Sequence, residues 1–255
     1  TPTAAPEVDA QATFSVVQTS AVETVIANLT QNAPTAVPAT ATALPTDTSE
    51  PTSTPEPAEI PPADYPLPDD LPPSADIEGV YGYAQAYNLS CEARTAVDWA
   101  RFFGVDISEM EFLSALPLSD NPDEGFVGVF DGPMGRIPPE SYGVHAEPVA
   151  AVLQDFGVGA AALRGYSFNE LRRQVAAGNP VIVWVIGNVW YGVPVTYTTS
   201  DGSEVTVAHF EHTAIVTGYD ENGLTLVDNN LVYWRSNEAF LSSWQVLGNM
   251  VIIAD

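Results

Sequence analysis

Tyr83-Ala84-Gln85-Ala86-Tyr87-Asn88-Leu89-Ser90-Cys91-Glu92 is the stretch that decides the fold, and it holds the only cysteine of the chain. Asn88 and Ser90 are residue types that start helices. Apolar residues then recur at Ala93, Ala96, Val97, Ala100 and Phe103 until Gly104 interrupts them, which is helical spacing with a stop signal. The spacing predicts Cys91 at, or within one turn of, a helix N-terminus. There, unpaired amide N–H groups and the positive end of the macrodipole favour thiolate over thiol. Gln85, in the non-helical approach, is placed to aim its side-chain amide at the same spot. A lone cysteine in an apolar helix is usually a small buried hydrophobe, so the residues that separate these readings lie further along the chain.

Composition divides the 255 residues unevenly. Residues 1–79 hold 14 of the 22 prolines and 12 acidic residues but no basic one. All seven basic residues, every one an arginine, and all five tryptophans follow. The first part has too little apolar surface to offset its ordering entropy. The expectation is a disordered acidic Pro/Thr-rich stalk or linker over residues 1–76, then one domain over 77–255. A marginal helical stripe runs from Ala12 to Leu29, and Pro34 to Pro73 reads as a spacer. About 40 such residues in polyproline II span at most roughly 120 Å.

The net charge of −26 argues against nucleic acid or anionic lipid as a partner, because no basic patch exists to release counterions. It fits a neutral or cationic partner, and equally an adaptation to high salt. With one cysteine there is no intramolecular disulfide to report the compartment. No run of 18 apolar residues predicts a membrane span, and the sequence contains no basic n-region followed by an apolar h-region. The expected protein is extracellular or at the cell surface, secreted or tethered through its stalk, with the signal or anchor outside this sequence.

Downstream of the Cys91 helix, Asp106-Ile107-Ser108-Glu109 reads as a capping box. Residues 117–145 read as a long irregular loop rich in Gly, Pro and Asp. Glu147-Pro148 starts another helix, and Ser167-Phe168-Asn169-Glu170 caps a third that ends at Gly178-Asn179-Pro180. The period then changes. Val181–Ile186 reads as a buried strand, and hairpins turn at Asp201-Gly202 and Asn222-Gly223. A helix over Glu238–Leu247 and a strand over Met250–Ala254 complete the chain. Helices followed by an antiparallel meander predict an α+β fold.

Of the three histidines, His145 has no neighbour of matching chemistry in sequence and reads as structural. His209 and His212 are three apart, which on a strand puts them on opposite faces, so a zinc site built from them and Cys91 is disfavoured. No metal or other cofactor is expected. His212 opens the strand before the Asn222-Gly223 turn, and the return strand ends at Asp228-Asn229. A tight hairpin brings these to one end of neighbouring strands. A carboxylate or amide there can hold one imidazole nitrogen and aim the other at a thiol, which is the logic of cysteine peptidases.

These residues reach a recognisable family. Asn88-Leu89-Ser90-Cys91-Glu92, Gly125-Phe126-Val127-Gly128, Tyr142 to Pro148, Gly178 to Val185, His212 to Asp220 and Phe240 to Met250 together resemble the C39-type peptidase-like domain. That is family thirty-nine of the cysteine peptidases, in its stand-alone bacterial branch, and the resemblance spans roughly residues 78–255. It implies a papain-like fold, with Cys91 as nucleophile, His212 as general base, Asp228 as the orienting residue and Gln85 as oxyanion donor. Many relatives follow the aspartate with proline. Here the run is Asp228-Asn229-Asn230, so Asn229 is an alternative third member. Trp184, Trp190 and Tyr191 are candidates to line a substrate groove, with core packing as the other reading of Trp184. The expected activity is hydrolysis of a peptide or protein substrate. A catalytically silent scaffold, or an amidase or acyl transferase on the same framework, is the alternative.

Overall fold

The helix that opens at Cys91 lays its apolar stripe across a β-sheet, and that contact positions everything else. The structure, a computed structural model, describes residues 66–255. Five α-helices are described: α1 (Cys91–Phe102), α2 (Glu109–Ala115), α3 (Ala146–Asp155), α4 (Phe168–Ala176) and α5 (Asn237–Trp244). The strands are β1 (Ala75–Asp76), β2 (Ala161–Leu163), β3 (Val181–Ile186), β4 (Val195–Thr198), β5 (Glu204–Val207), β6 (Glu211–Tyr219), β7 (Gly223–Asp228), β8 (Leu231–Ser236) and β9 (Val251–Ile253). The main sheet runs β2-β9-β3-β6-β7-β8, with β1 also paired to β6. Its pairings are antiparallel, so the fold is α+β as the sequence implied. Strands β4 and β5 form a separate ribbon.

Strand β3 shows why the sheet is central. All six of its residues are buried, because successive side chains point to opposite faces and both faces are covered. Ile182, Trp184 and Ile186 enter the core shared with α1, α2 and α3. Val181, Val183 and Val185 enter a second core with α4 and α5. A polar residue anywhere in β3 would therefore be stranded in one core or the other.

Several expectations need correcting. Packing against the domain begins before residue 77: Leu67 and Ala75 pack on the second core, Tyr219 donates its hydroxyl hydrogen to the Pro72 carbonyl, and β1 pairs with β6. The helical stripe at 12–29 and most of the spacer lie outside the described residues. The second helix is capped by Ser108 with Glu111, not by Asp106 with Glu109, which frees Glu109 to turn inward. Strand β8 extends the meander beyond the two strands expected, and β1 and β2 are additional short strands. Both Gly-containing turns and the Ser167–Glu170 box stand where the sequence put them.

Candidate active site

Cys91 is the first residue of α1. Its N-cap, Ser90, makes no side-chain cap bond, because its hydroxyl is directed to Glu109 Oε1 at 2.6 Å. The same Glu109 oxygen accepts the Ala86 N–H at 2.9 Å, and Asp98 accepts the Tyr83 N–H at 2.9 Å. Two acids from the helices thus pin the backbone that delivers Cys91. One turn on, Thr213 Oγ1 donates to Thr95 Oγ1 at 3.0 Å. Thr95 follows Cys91 in α1 and Thr213 follows His212 in β6, so this bond fixes the nucleophile helix against the histidine strand.

Cys91, His212, Gln85 and Asn229 line one cavity of about 330 Å³. His212 Nε2 lies 2.7 Å from Asp228 Oδ1, which leaves Nδ1 as the nitrogen available to the cavity. Asp228 also accepts from Asn188 Nδ2 at 2.6 Å and from the Tyr233 hydroxyl at 2.7 Å. Burial pushes this carboxyl up, but the hydrogen bond and charge of His212, with help from Tyr233 and Asn188, prevail and hold it below the usual aspartate value. Asn229 does not bond the imidazole. It sits in the left-handed region at φ 51° and exchanges hydrogen bonds with Gln85: Gln85 N–H to Oδ1, and Nδ2–H to Gln85 Oε1, each 3.1 Å.

Gln85 reaches the cavity with its donors engaged. Its amide hydrogens go to the carbonyls of Tyr87 at 2.7 Å and Asn88 at 3.0 Å. The oxyanion role implied by resemblance therefore requires this side chain to turn. The other candidate donor is the Cys91 backbone N–H, one of the amides a helix leaves unpaired in its first turn.

Of the three groove candidates, only Trp190 lines the cavity, with Phe210, Met134 and Arg136. Trp184 is fully buried and donates its indole N–H to the Val144 carbonyl at 3.0 Å. It is a core residue because β3 has no exposed face. Tyr191 is 63% exposed and outside the cavity lining. His145 has the acidic partner its sequence neighbours lacked: Nδ1 bonds Asp123 at 2.5 Å. His209 lies in the turn before β6 and bonds the Gly135 carbonyl at 2.8 Å.

The residues that sequence reasoning missed are acidic. Cys91 Sγ donates to Glu92 Oε2 at 3.2 Å, and Glu92 Oε1 accepts the Val144 N–H at 2.7 Å. Glu211, immediately before His212, turns its buried carboxyl to the same place. The helix N-terminus does not win at the thiol: burial, then the charges of Glu92 and Glu211, push Cys91 well above its ordinary value. The expected depression is reversed. The available signal was an acid beside each reactive residue, Glu92 after the cysteine and Glu211 before the histidine, in segments otherwise destined for burial. Cys91, Glu92 and Glu211 place potential ligand atoms within 4.8 Å of one another.

The comparisons agree with this architecture. The model of the Peptidase_C39 like family matches residues 77–252. The uncharacterized protein YvpB of Bacillus subtilis (strain 168) is 26% identical over 184 residues, covering 66% of this chain and 69% of that protein. A crystal structure of a Bacillus anthracis protein assigned as a C39-like peptidase superposes with a TM-score of 0.63 at 22% identity, covering 71% of this chain and 97% of that one. At that identity the likeness shows the shared fold, which is papain-like.

Proposed function

The chain belongs to the Peptidase_C39 like family, and from that premise we propose that it is a cysteine peptidase whose nucleophile is Cys91. The observation that carries the reading is the joint placement of Cys91 and His212 on one cavity, with Asp228 bonded to His212 Nε2. In the proposed cycle the Cys91 proton passes to His212 Nδ1 and sulfur attacks a peptide carbonyl. The oxyanion is met by the Cys91 N–H and by the Gln85 amide once it leaves the Tyr87 and Asn88 carbonyls. The imidazolium then protonates the leaving amine, and water activated by His212 hydrolyses the thioester. Asp228 holds the imidazole ring and its tautomer. Trp190, Phe210 and Met134 favour neutral or apolar substrate side chains. The acidic Pro/Thr-rich segment ahead of the domain supports an extracytoplasmic, spacer-borne placement.

A second reading has its own support. The raised thiol and the engaged Gln85 amide both suit a papain-like module that binds without turning over. Incubation with a diverse peptide mixture, read by mass spectrometry, separates the two. The peptidase reading expects new termini that disappear in Cys91→Ala and fall about 10²–10⁴-fold in His212→Ala. Intact peptides throughout, with no labelling of Cys91 by a peptidyl electrophile, would establish the scaffold.

A further inference from the structure

Beside the nucleophile lies a pair of carboxyl groups that the proposed cycle does not use. Glu92 is 2% exposed, and it is surrounded by donors: the Val144 N–H at Oε1, the Cys91 S–H at Oε2, and its own amide in the first turn of α1. Glu211 is its opposite. Both of its carboxyl oxygens are buried and neither receives a hydrogen-bond donor. Its neighbour is the Glu92 carboxylate, itself an acceptor, so a hydrogen bond between the two exists only when one of them carries a proton. Gly143 closes the pocket. A Cβ there would sit 2.1 Å from Glu92 Oε1 and 2.9 Å from Glu211 Oε2, so the backbone is shaped to admit both acids together.

We propose that Glu92 and Glu211 hold one proton between them, carried by Glu211, and that the single remaining charge on Glu92 keeps Cys91 a neutral thiol at rest. Two like charges buried at this separation cannot both persist, so one carboxyl stays neutral. The proton goes to Glu211 because Glu92 is the one that donors solvate. Burial, and then Glu92, raise Glu211 well above the ordinary carboxylate range, in keeping with that assignment. Glu92 then accepts a hydrogen bond from the Cys91 S–H, with Sγ 3.2 Å from Oε2, and opposes thiolate formation with its charge.

The other charged and titratable groups facing the pair do not supply the missing donor. Burial raises Glu92 too, but its own amide, the Val144 N–H, the Cys91 thiol and, last, the His212 charge all pull against that rise, and Glu211 has no such donors. Tyr142 faces both acids from the preceding loop and is itself pushed well up by burial and by Glu211. The Tyr142 hydroxyl is bonded to His145 Nε2 at 3.2 Å, and that ring is bonded to Asp123. Arg136, the arginine at the cavity, pairs with Glu140 at 3.6 Å. Glu92 and Glu211 are thus positioning residues that act through Cys91. Thiolate appears when the pair is neutralised or when an incoming substrate displaces the Glu92 contact.

The test is the rate of Cys91 alkylation by iodoacetamide across pH, which needs neither substrate nor turnover. A failure of the peptidase reading would leave this inference standing, and the reverse also holds. Glu92→Gln keeps an oxygen for the Val144 N–H and removes the charge. One unit off the thiol pKa gives about tenfold more thiolate, offset in part by lower nucleophilicity, so alkylation at pH 7 should rise about threefold or more. Glu211→Gln imitates the protonated acid and should leave the pH 7 rate within about twofold of wild type. The rate ratio to wild type should then climb at alkaline pH, where only the wild type gains a second charge. Infrared difference spectra at neutral pH should show a protonated carboxyl band that Glu211→Gln removes, a measurement independent of how well Glu92→Gln folds. Equal acceleration by both variants at pH 7 would mean two ionised acids and would overturn the proposal. So would an unchanged rate in folded Glu92→Gln, or a carboxyl band that survives Glu211→Gln.

Discussion

Asp228, bonded to His212 behind the cavity, and Glu211, which lines it, both have buried carboxyls, yet they are held in opposite charge states. Burial raises both. Asp228 overcomes it with donors from His212, Asn188, Tyr233 and, at 3.2 Å, Asn229. Glu211 has none for its oxygens and faces another carboxylate. The number of donors, not the depth of burial, decides which acid is a charge and which is a proton store.

The largest effect should come from breaking the well-supplied acid. Asp228→Asn keeps the shape but replaces an acceptor-only group with one that also donates, so the imidazole loses its tautomer and its counter-charge. If the site is a peptidase, turnover should drop on the order of 10² or more with little change in KM. Steady-state kinetics on any peptide found to be cleaved would check this. Wild-type turnover in Asp228→Asn would mean that the donors around this carboxyl are structural only.

The next largest effect sharpens the other side of the comparison. Gly143 lies at φ 136°, a backbone conformation that costs a non-glycine residue about 1–3 kcal/mol. Its missing Cβ also leaves room for the acid pair. Gly143→Ala should therefore destabilise by more than that backbone term, read from denaturant midpoints. Gly157→Ala is the control, since it has φ 83° and nothing within 4 Å of the added carbon. Equal losses in the two variants would show that the carboxyls yield easily.

Much of this was legible in the residues, for identifiable reasons. The Cys91 helix, strand β3 and both hairpins follow from periodicity and turn chemistry, which act over a few residues. The His212–Asp228 contact follows from hairpin register, also local. Trp184 could not be sorted from Trp190 by composition, because that depends on which faces of β3 are covered. Strand β8 was hidden because it is an edge strand with apolar residues facing outward, Leu231, Val232 and Trp234 all exposed, behind an Asp-Asn-Asn run that reads as a loop. The thiol was misjudged in sign because the helix terminus is a local feature of sequence. Glu211, by contrast, reaches Cys91 only through the packing of α1 on β6.

The smallest effect is a slope. In the fold Glu211 is raised above its unfolded value of about 4.3. Between those two pKa values the folded state binds more protons than the unfolded chain, so stability falls as pH rises. The steepest slope one such group gives is about 1.4 kcal/mol per pH unit. Asp228 has the opposite sign: its folded value is depressed, so its contribution is present above about pH 3.9 and is lost as pH falls through the folded value. Glu211→Gln should therefore flatten the decline of stability above about pH 4.3 and leave the acid limb intact, while Asp228→Asn should flatten the acid limb alone. Urea titrations of the three proteins across pH would show the two limbs separating. A Glu211→Gln profile parallel to wild type would mean that Glu211 ionises in the fold much as it does in the open chain, and the contrast between the two acids would collapse.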